Sequence, residues 1–264
     1  MKFGIFDHID KSNLDLCDQL DGRLEYVKAA EDAGFYSYHV AEHHATPLNL
    51  VPVPGVYLGA VANATSTIRL GPLCYLLPLY SPLRLIEEIS ILDQLSHGRL
   101  DVGVGRGVSP FELNYYNVDP KTSVEIFLEA LETIKYGLTH EKLNHKGKHY
   151  EYTDVPMELR PFQKPHPPIW YPSSNPEVAP LIGENGYNFV TLGATEQAKK
   201  TINSYKIGFK KRGKPSIPAL DFNDGTVIGI SRHIVVGETM EEAMKIARPA
   251  YSRWHQSLVK LWVE

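Results

Sequence analysis

Seven times along this chain a short apolar run is followed by a stretch with apolar residues at helical spacing, and that alternation restricts the fold more than any other feature. Lys2 to Phe6, Ser37 to Ala41, Ile68 to Leu77, Leu100 to Val104, Pro168 to Pro172, Asn188 to Leu192 and Ser231 to Val236 read as strands. The intervening and following helices are Arg23 to Ala33, Val56 to Ala64, Pro82 to Leu95, Ser123 to Tyr136, Pro176 to Asn185, Thr195 to Lys211 and Met240 to Arg248. The clearest of them carries Leu85, Ile86, Ile89, Leu92 and Leu95 on one face, and His97-Gly98 stops it. Strands that alternate with helices in this way are parallel and joined by helical crossovers.

An open doubly wound sheet and a closed barrel both bury their strands on two faces, so apolar runs such as Ile68 to Leu77 suit either. Polar groups at the C-terminal ends of several separate strands favour a TIM-type (β/α)8 barrel, because such barrels assemble their sites there. Glu42 and His43 follow the second strand, Arg106 the fourth, and Ser173-Ser174-Asn175 the fifth. Seven units are visible and the eighth is missing. The expectation is one barrel domain over residues 1–264, either incomplete at its C-terminal end or a genuinely short barrel.

Charge and cysteine usage exclude some partners. The net charge is -4 with no basic stripe, and the cluster from Lys199-Lys200 to Lys210-Lys211-Arg212 reads as the polar face and end of a helix. Nucleic-acid binding, which needs concentrated Lys and Arg, is not expected. Cys17 and Cys74 are far apart and form no Cys-x-x-Cys, so a reducing, cytoplasmic setting is the default. The N-terminus passes straight into a short strand with Asp7 behind it, without a signal peptide's apolar region or a membrane span.

Two segments carry chemistry. Leu100 to Gly107 is a buried strand that runs into the glycine-lined turn Gly103-Val104-Gly105-Arg106-Gly107. The turn misses the dinucleotide fingerprint by one position and has no P-loop lysine. Glycines admit a ligand close to the backbone, and a guanidinium grips two phosphate oxygens as a fork. A phosphate-bearing cofactor is one reading; the other is a tight turn whose Arg106 pairs with a surface carboxylate. In Glu42-His43-His44, neighbouring strand residues point to opposite faces, so one metal ion shared by both histidines is not expected. His43 suits proton transfer or hydrogen bonding to a reactive intermediate, or else simply bonds backbone. Ser173-Ser174-Asn175-Pro176 reads as a helix N-cap whose amides are also able to bind phosphate. No nucleophile elbow is present, and Phe111 to Tyr116 reads as a packed loop rather than a substrate lid.

Together with Met1 to Phe6, Ala41 to His44, Ile68 to Gly71, Leu76-Leu77-Pro78, Pro82-Leu83-Arg84 with Glu87-Glu88, Leu92 to Ser96, Gly98-Arg99, Gly103 to Gly107 and Pro167-Pro168-Ile169, the sequence resembles the bacterial luciferase-like, flavin-dependent monooxygenases over almost its whole length. The resemblance implies a barrel that binds reduced FMN, or less often F420. It implies that His43 is the catalytic histidine, that Arg106 and Gly107 meet the cofactor phosphate, and that amides around Ser174 and Asn175 meet it from the other side. Leu73-Cys74 falls where the family often has a cis peptide beneath the flavin, and Phe6 and Gly193 match wall positions near the ring. Gly105 stands where the luciferase catalytic subunit has a reactive cysteine, a departure from that subunit's chemistry.

The implied reaction is oxygenation of a small organic substrate with O2 through a C4a-(hydro)peroxyflavin, the reduced flavin coming from a separate flavin reductase. A homodimer formed through helices such as Pro82 to Leu95 is implied as well. Two alternatives stand beside it: an F420-dependent hydride-transfer oxidoreductase on the same barrel, and a non-catalytic flavin-binding accessory subunit, against which the presence of His43 argues. Substrate choice would lie in the loops Ser109 to Thr122, His140 to Pro168 and Ser216 to Ser231, whose sequences do not disclose it.

Overall fold

The computed structural model describes residues 1–263. In chain order the first half runs β1 (Gly4–Asp7), α1 (Leu16–Asp32), β2 (Ser37–Val40), α2 (Pro54–Ala64), β3 (Arg69–Pro72), β4 (Tyr75–Leu76), α3 (Pro82–Leu95) and β5 (Val102–Gly105). The rest is α4 (Pro110–Tyr115), α5 (Ser123–Thr139), β6 (Lys142–Lys146), β7 (Glu151–Pro156), β8 (Ile169–Pro172), α6 (Ala179–Asn185), β9 (Asn188–Thr191), α7 (Thr195–Arg212), β10 (Ile228–Ile230) and α8 (Met240–Val259).

All main strands are parallel, in the order β1-β2-β3 and β4-β5-β8-β9-β10, with β6-β7 a separate antiparallel hairpin. A bridge between Leu70 and Leu100 joins the two sheets: the Leu70 amide donates to Arg99 and the Asp101 amide returns to Leu70. The result is a TIM-type barrel wall of seven staves. It is not closed, since β1 and β10 each lack a second neighbour among the described residues.

Side-chain alternation builds two cores. Tyr38, Val40, Leu70, Val102, Val104 and Phe189 point outward into one large cluster with Leu58, Leu85, Ile86 and Ile89 of the helices. Each such buried aliphatic contributes about 1.5–3 kcal/mol of transfer free energy. The inner faces form a smaller cluster of Leu73, Trp170 and Val227, with Phe6 and Val190 against it.

Several sequence expectations shift here. The apolar run Ile68 to Leu77 is two strands, broken where the Leu73–Cys74 peptide is cis and followed by a 3-10 turn over Leu77–Leu79. The seventh strand is Ile228–Ile230, inside the segment expected as a loop. Ser231 to Val236 is irregular instead, because the Ser231 amide makes the last bond to β9, at Thr191, and the apolar residues beyond have no strand beside them among the described residues. Helix α1 begins seven residues before Arg23, in a stretch too polar and exposed to show a helical stripe. Helix α8 runs through Pro249 rather than stopping at Arg248, with Ser257 and Leu261 buried beyond it. The hairpin lies within the expected loop His140 to Pro168; the Glu129 carboxylate holds its turn by accepting the amides of Lys148, His149 and Tyr150. Among the described residues, no helix is long and apolar enough to cross a membrane.

Candidate active site

Parallel strands deliver their C-terminal ends to one rim, and that is where the expected residues sit. His43 follows β2, Leu73 and Cys74 lie between β3 and β4, Arg106 and Gly107 follow β5, Ser174 and Asn175 follow β8, and Gly193 follows β9. Phe6 stands on the inner face of β1, edge-on to His8 with ring centroids 4.8 Å apart.

The two histidines after β2 diverge, each to its own carboxylate. His43 Nδ1 lies 3.2 Å from Glu112 Oε1, and the same oxygen accepts the His44 backbone amide at 2.7 Å. His44 Nε2 lies 2.9 Å from Glu42 Oε1, and its Nδ1 lies 2.8 Å from the Tyr116 hydroxyl. Glu42 also accepts from the Tyr80 hydroxyl at 2.8 Å and the Leu76 amide at 3.3 Å. Burial pushes the Glu42 carboxyl above its usual range against the pull of His44, Tyr80 and Leu76.

Neither Glu112 nor Tyr116 is singled out by the sequence reading. Ser109-Pro110-Phe111-Glu112 does carry a capping-box signature, and Ser109 Oγ accepts the Glu112 amide at 3.3 Å. Its second half is diverted, because the Glu112 carboxylate turns to β2. The segment Phe111 to Tyr116, expected as a packed loop, is instead mostly the short helix α4, with Glu112 and Leu113 buried and Tyr115 and Tyr116 exposed.

His8 also escapes the sequence reading. Its ring stacks on His43 at 5.8 Å with an interplanar angle of 10°, and Trp254 of α8 packs edge-on behind it at 6.3 Å. His233 lies 4.3 Å from Trp254. Burial, aided by His43 and His233, pushes the His8 imidazole down to about 3. Below this layer the Arg69 guanidinium donates to Asp101 at 3.0 Å, and His39 Nε2 lies 3.4 Å from the other Asp101 oxygen. Burial pushes the Asp101 carboxyl up, but Arg69 and His39 together hold it below its usual range.

Arg106 is half-buried and donates from Nη1 to Ser123 Oγ at 3.1 Å. Among the described residues it makes no ion pair, so the surface carboxylate of the alternative reading is not there. Gly107 has φ 88° and Gly193 φ 101°, backbone that favours glycine. A side chain on Gly193 would meet nothing within 4 Å, whereas one on Gly105 would strike Cys74 Sγ. This contact keeps the Gly105 position bare. Burial pushes the Cys74 thiol well up, so it is held as a neutral group.

The expected N-cap at Ser173 to Asn175 is corrected. Helix α6 starts at Ala179 with no side-chain cap. The Asn175 side chain instead accepts the Glu177 amide at 2.9 Å and Ser173 Oγ accepts the Asn175 amide at 3.1 Å. These local bonds compete with the helix and hold residues 176–178 as a turn. Ser174 donates weakly to the Leu192 carbonyl, 3.4 Å away.

The family model described as luciferase-like monooxygenase matches residues 1–261. The chain belongs to this family. Membership makes the luciferase-like chain an oxidoreductase of the monooxygenase kind. It is 39% identical over 255 residues to uncharacterized protein y4wF of Sinorhizobium fredii, covering 96% of this chain and 72% of that protein. It is 28% identical over 257 residues to the oxygenase component of the flavin-dependent trigonelline monooxygenase of Acinetobacter baylyi, covering 94% of this chain and 68% of the relative. Its fold matches the oxygenating constituent of 3,6-diketocamphane monooxygenase of Pseudomonas putida, solved in complex with FMN. There the TM-score is 0.85 at 20% identity, covering 99% of this chain and 75% of that one.

Proposed function

We propose that this luciferase-like chain is the oxygenase of a two-component system, holding reduced FMN at the barrel mouth and using O2 to oxygenate a small organic molecule. A separate flavin reductase supplies the reduced cofactor. The observation that carries this reading is Arg106, a half-buried guanidinium on a glycine turn with a serine hydroxyl as partner and no carboxylate among the described residues. Such a group is built to receive an anion, and its planar fork matches a phosphate ester.

The remaining rim residues fit the same ligand. Gly107 and Gly193 admit it close to the backbone, Phe6, Leu73 and Cys74 supply an apolar wall, and Ser174 and Asn175 stand on the neighbouring strand end for the phosphate's other side. Reduced FMN, when bound, supplies the electrons that activate oxygen for transfer of one atom to the substrate. His43 is the catalytic residue: its ring, held by Glu112, holds or moves a proton at Nε2. The packed layer of His8 and Trp254 behind it limits water around the reacting atoms. The relative named as an oxygenase component and the neighbour solved with FMN both support this cofactor and a reductase partner.

The test is a titration of the wild type and Arg106→Ala with FMN, riboflavin and F420. Loss of a charged phosphate contact is worth about 1.5–3 kcal/mol, so FMN binding should weaken roughly ten- to hundredfold while riboflavin binding barely changes. Equal losses for FMN and riboflavin would contradict the assignment, and tighter binding of F420 than FMN would favour hydride transfer. We also propose a homodimer formed through the outer face of α3 and α5, where Ile91, Leu95, Val124 and Leu128 are exposed.

A further inference from the structure

We infer that Glu112 is the positioning residue of this site. By accepting a proton-bearing Nδ1 from His43 it fixes the imidazole in one tautomer and leaves Nε2 as the basic nitrogen at the mouth. The inference deepens the proposed function and rests on the role given there to His43.

Four observations support it. Glu112 Oε1 receives two groups from consecutive residues of β2's end, the His43 ring nitrogen at 3.2 Å and the His44 amide at 2.7 Å. The amide contact fixes where the oxygen lies, and a carboxylate oxygen there has lone pairs to offer and no proton. An Nδ1 lone pair facing it would be repelled, so the ring presents N–H. Second, the Glu112 side chain is 3% exposed while that of His43 keeps 14%, so the acid is shielded and the imidazole still reaches the mouth. Third, His43 Nε2 has no hydrogen-bond partner among the described residues and is not among the buried unpaired atoms, which leaves it available. Fourth, Glu112 occupies the third position of a capping box but does not bond back to its own helix, and its second oxygen, Oε2, is buried without a partner. A glutamate that only capped α4 would face Ser109.

The arrangement also explains why α4 is tied down. Ser109 caps its start, Leu113 and Glu112 are buried, and Tyr116 just past its end binds His44. The turn that follows the candidate phosphate-binding arginine thus reaches across the rim and aims the candidate proton-handling group.

The experiment reads the tautomer directly. Protein carrying 15N-histidine is examined by long-range proton-nitrogen NMR above the imidazole titration range, and His43 among the 11 histidines is assigned from the spectrum of His43→Gln. Wild type should show His43 protonated at Nδ1. Glu112→Ala should move it mainly to the Nε2-protonated form that free imidazole prefers, and should slow O2 consumption with supplied reduced FMN roughly 10–100-fold without weakening FMN binding. Glu112→Gln, whose amide oxygen still accepts, should restore the Nδ1-protonated form and recover part of the rate.

Nε2 protonation in the wild type, or an unchanged tautomer in Glu112→Ala, would overturn the inference, and the wild-type spectrum decides it even if Glu112→Ala does not fold. If the tautomers behave as stated while His43→Ala keeps full O2 consumption, the positioning stands and the proposed role of His43 fails.

Discussion

His8 shows at the residue scale how one side chain links the site to the stability of the fold. Packed between His43 and Trp254, it is pushed from an ordinary value of 6.5 to about 3, first by burial and then by His43 and His233. The unfolded chain takes up a proton near 6.5 that the folded chain refuses until about 3. This contribution is therefore complete above pH 6.5 and is lost as the pH falls toward 3. His8→Phe should lose less stability than the wild type between these limits in denaturant melts; parallel pH profiles would show that His8 does not titrate this way. His43 and Arg106 are legible in the sequence because each stands at the end of an apolar strand in a patterned segment. Glu112 carries a legible capping signature, but the direction its carboxylate takes is decided by a strand end far away in the chain. His8 and Trp254 lie near opposite ends of the chain, and no local pattern announces that they meet.

The family-bearing motifs act mainly as staples between elements. Arg99 is 9% exposed and donates to the carbonyls of Ala62, Thr65, Ile68 and Ser96 and to the Thr65 hydroxyl. It thereby ties the end of α2 to the entries of β3 and β5. Asp93 of α3 accepts the Gln163 amide and side chain, each at 2.7 Å. Arg99→Ala would leave several buried carbonyls unpaired and should cost about 2–4 kcal/mol in urea unfolding at unchanged m-value, whereas a loss below about 1 kcal/mol would show that the carbonyls find other partners. Element legibility follows the strength of local signals. Pro82–Leu95 is found with its true ends because a proline opens it, Leu85, Ile86, Ile89 and Leu92 line its buried face and His97-Gly98 closes it; Leu95, expected on the same stripe, is exposed instead. The β6-β7 hairpin is missed because its outward residues are polar and its turn is organised by Glu129 on another element. The break between β3 and β4 is hidden in an unbroken apolar run, whose hydrophobicity records burial but not backbone geometry.

At the scale of the whole molecule, seven parallel staves bring residues from β1, β2, β3, β5, β8 and β9 to one rim, an outcome that alternation and right-handed crossovers make legible from sequence. Surface association follows a different logic, since an apolar stripe toward the sheet and one toward a partner share the same helical period. If α3 and α5 form the homodimer face, Ile91→Glu with Leu95→Glu should convert a two-chain mass in sedimentation to a one-chain mass with the fold retained; a one-chain mass in the wild type would dismiss the dimer. His43 and Arg106 are proposed to frame a single flavin site. A crystal structure of the FMN complex tests it most directly. The phosphate is expected within hydrogen-bond distance of the Arg106 guanidinium, and the isoalloxazine over Leu73–Cys74 with its reactive face toward His43. A phosphate seated away from Arg106, or a ring remote from His43, would contradict it.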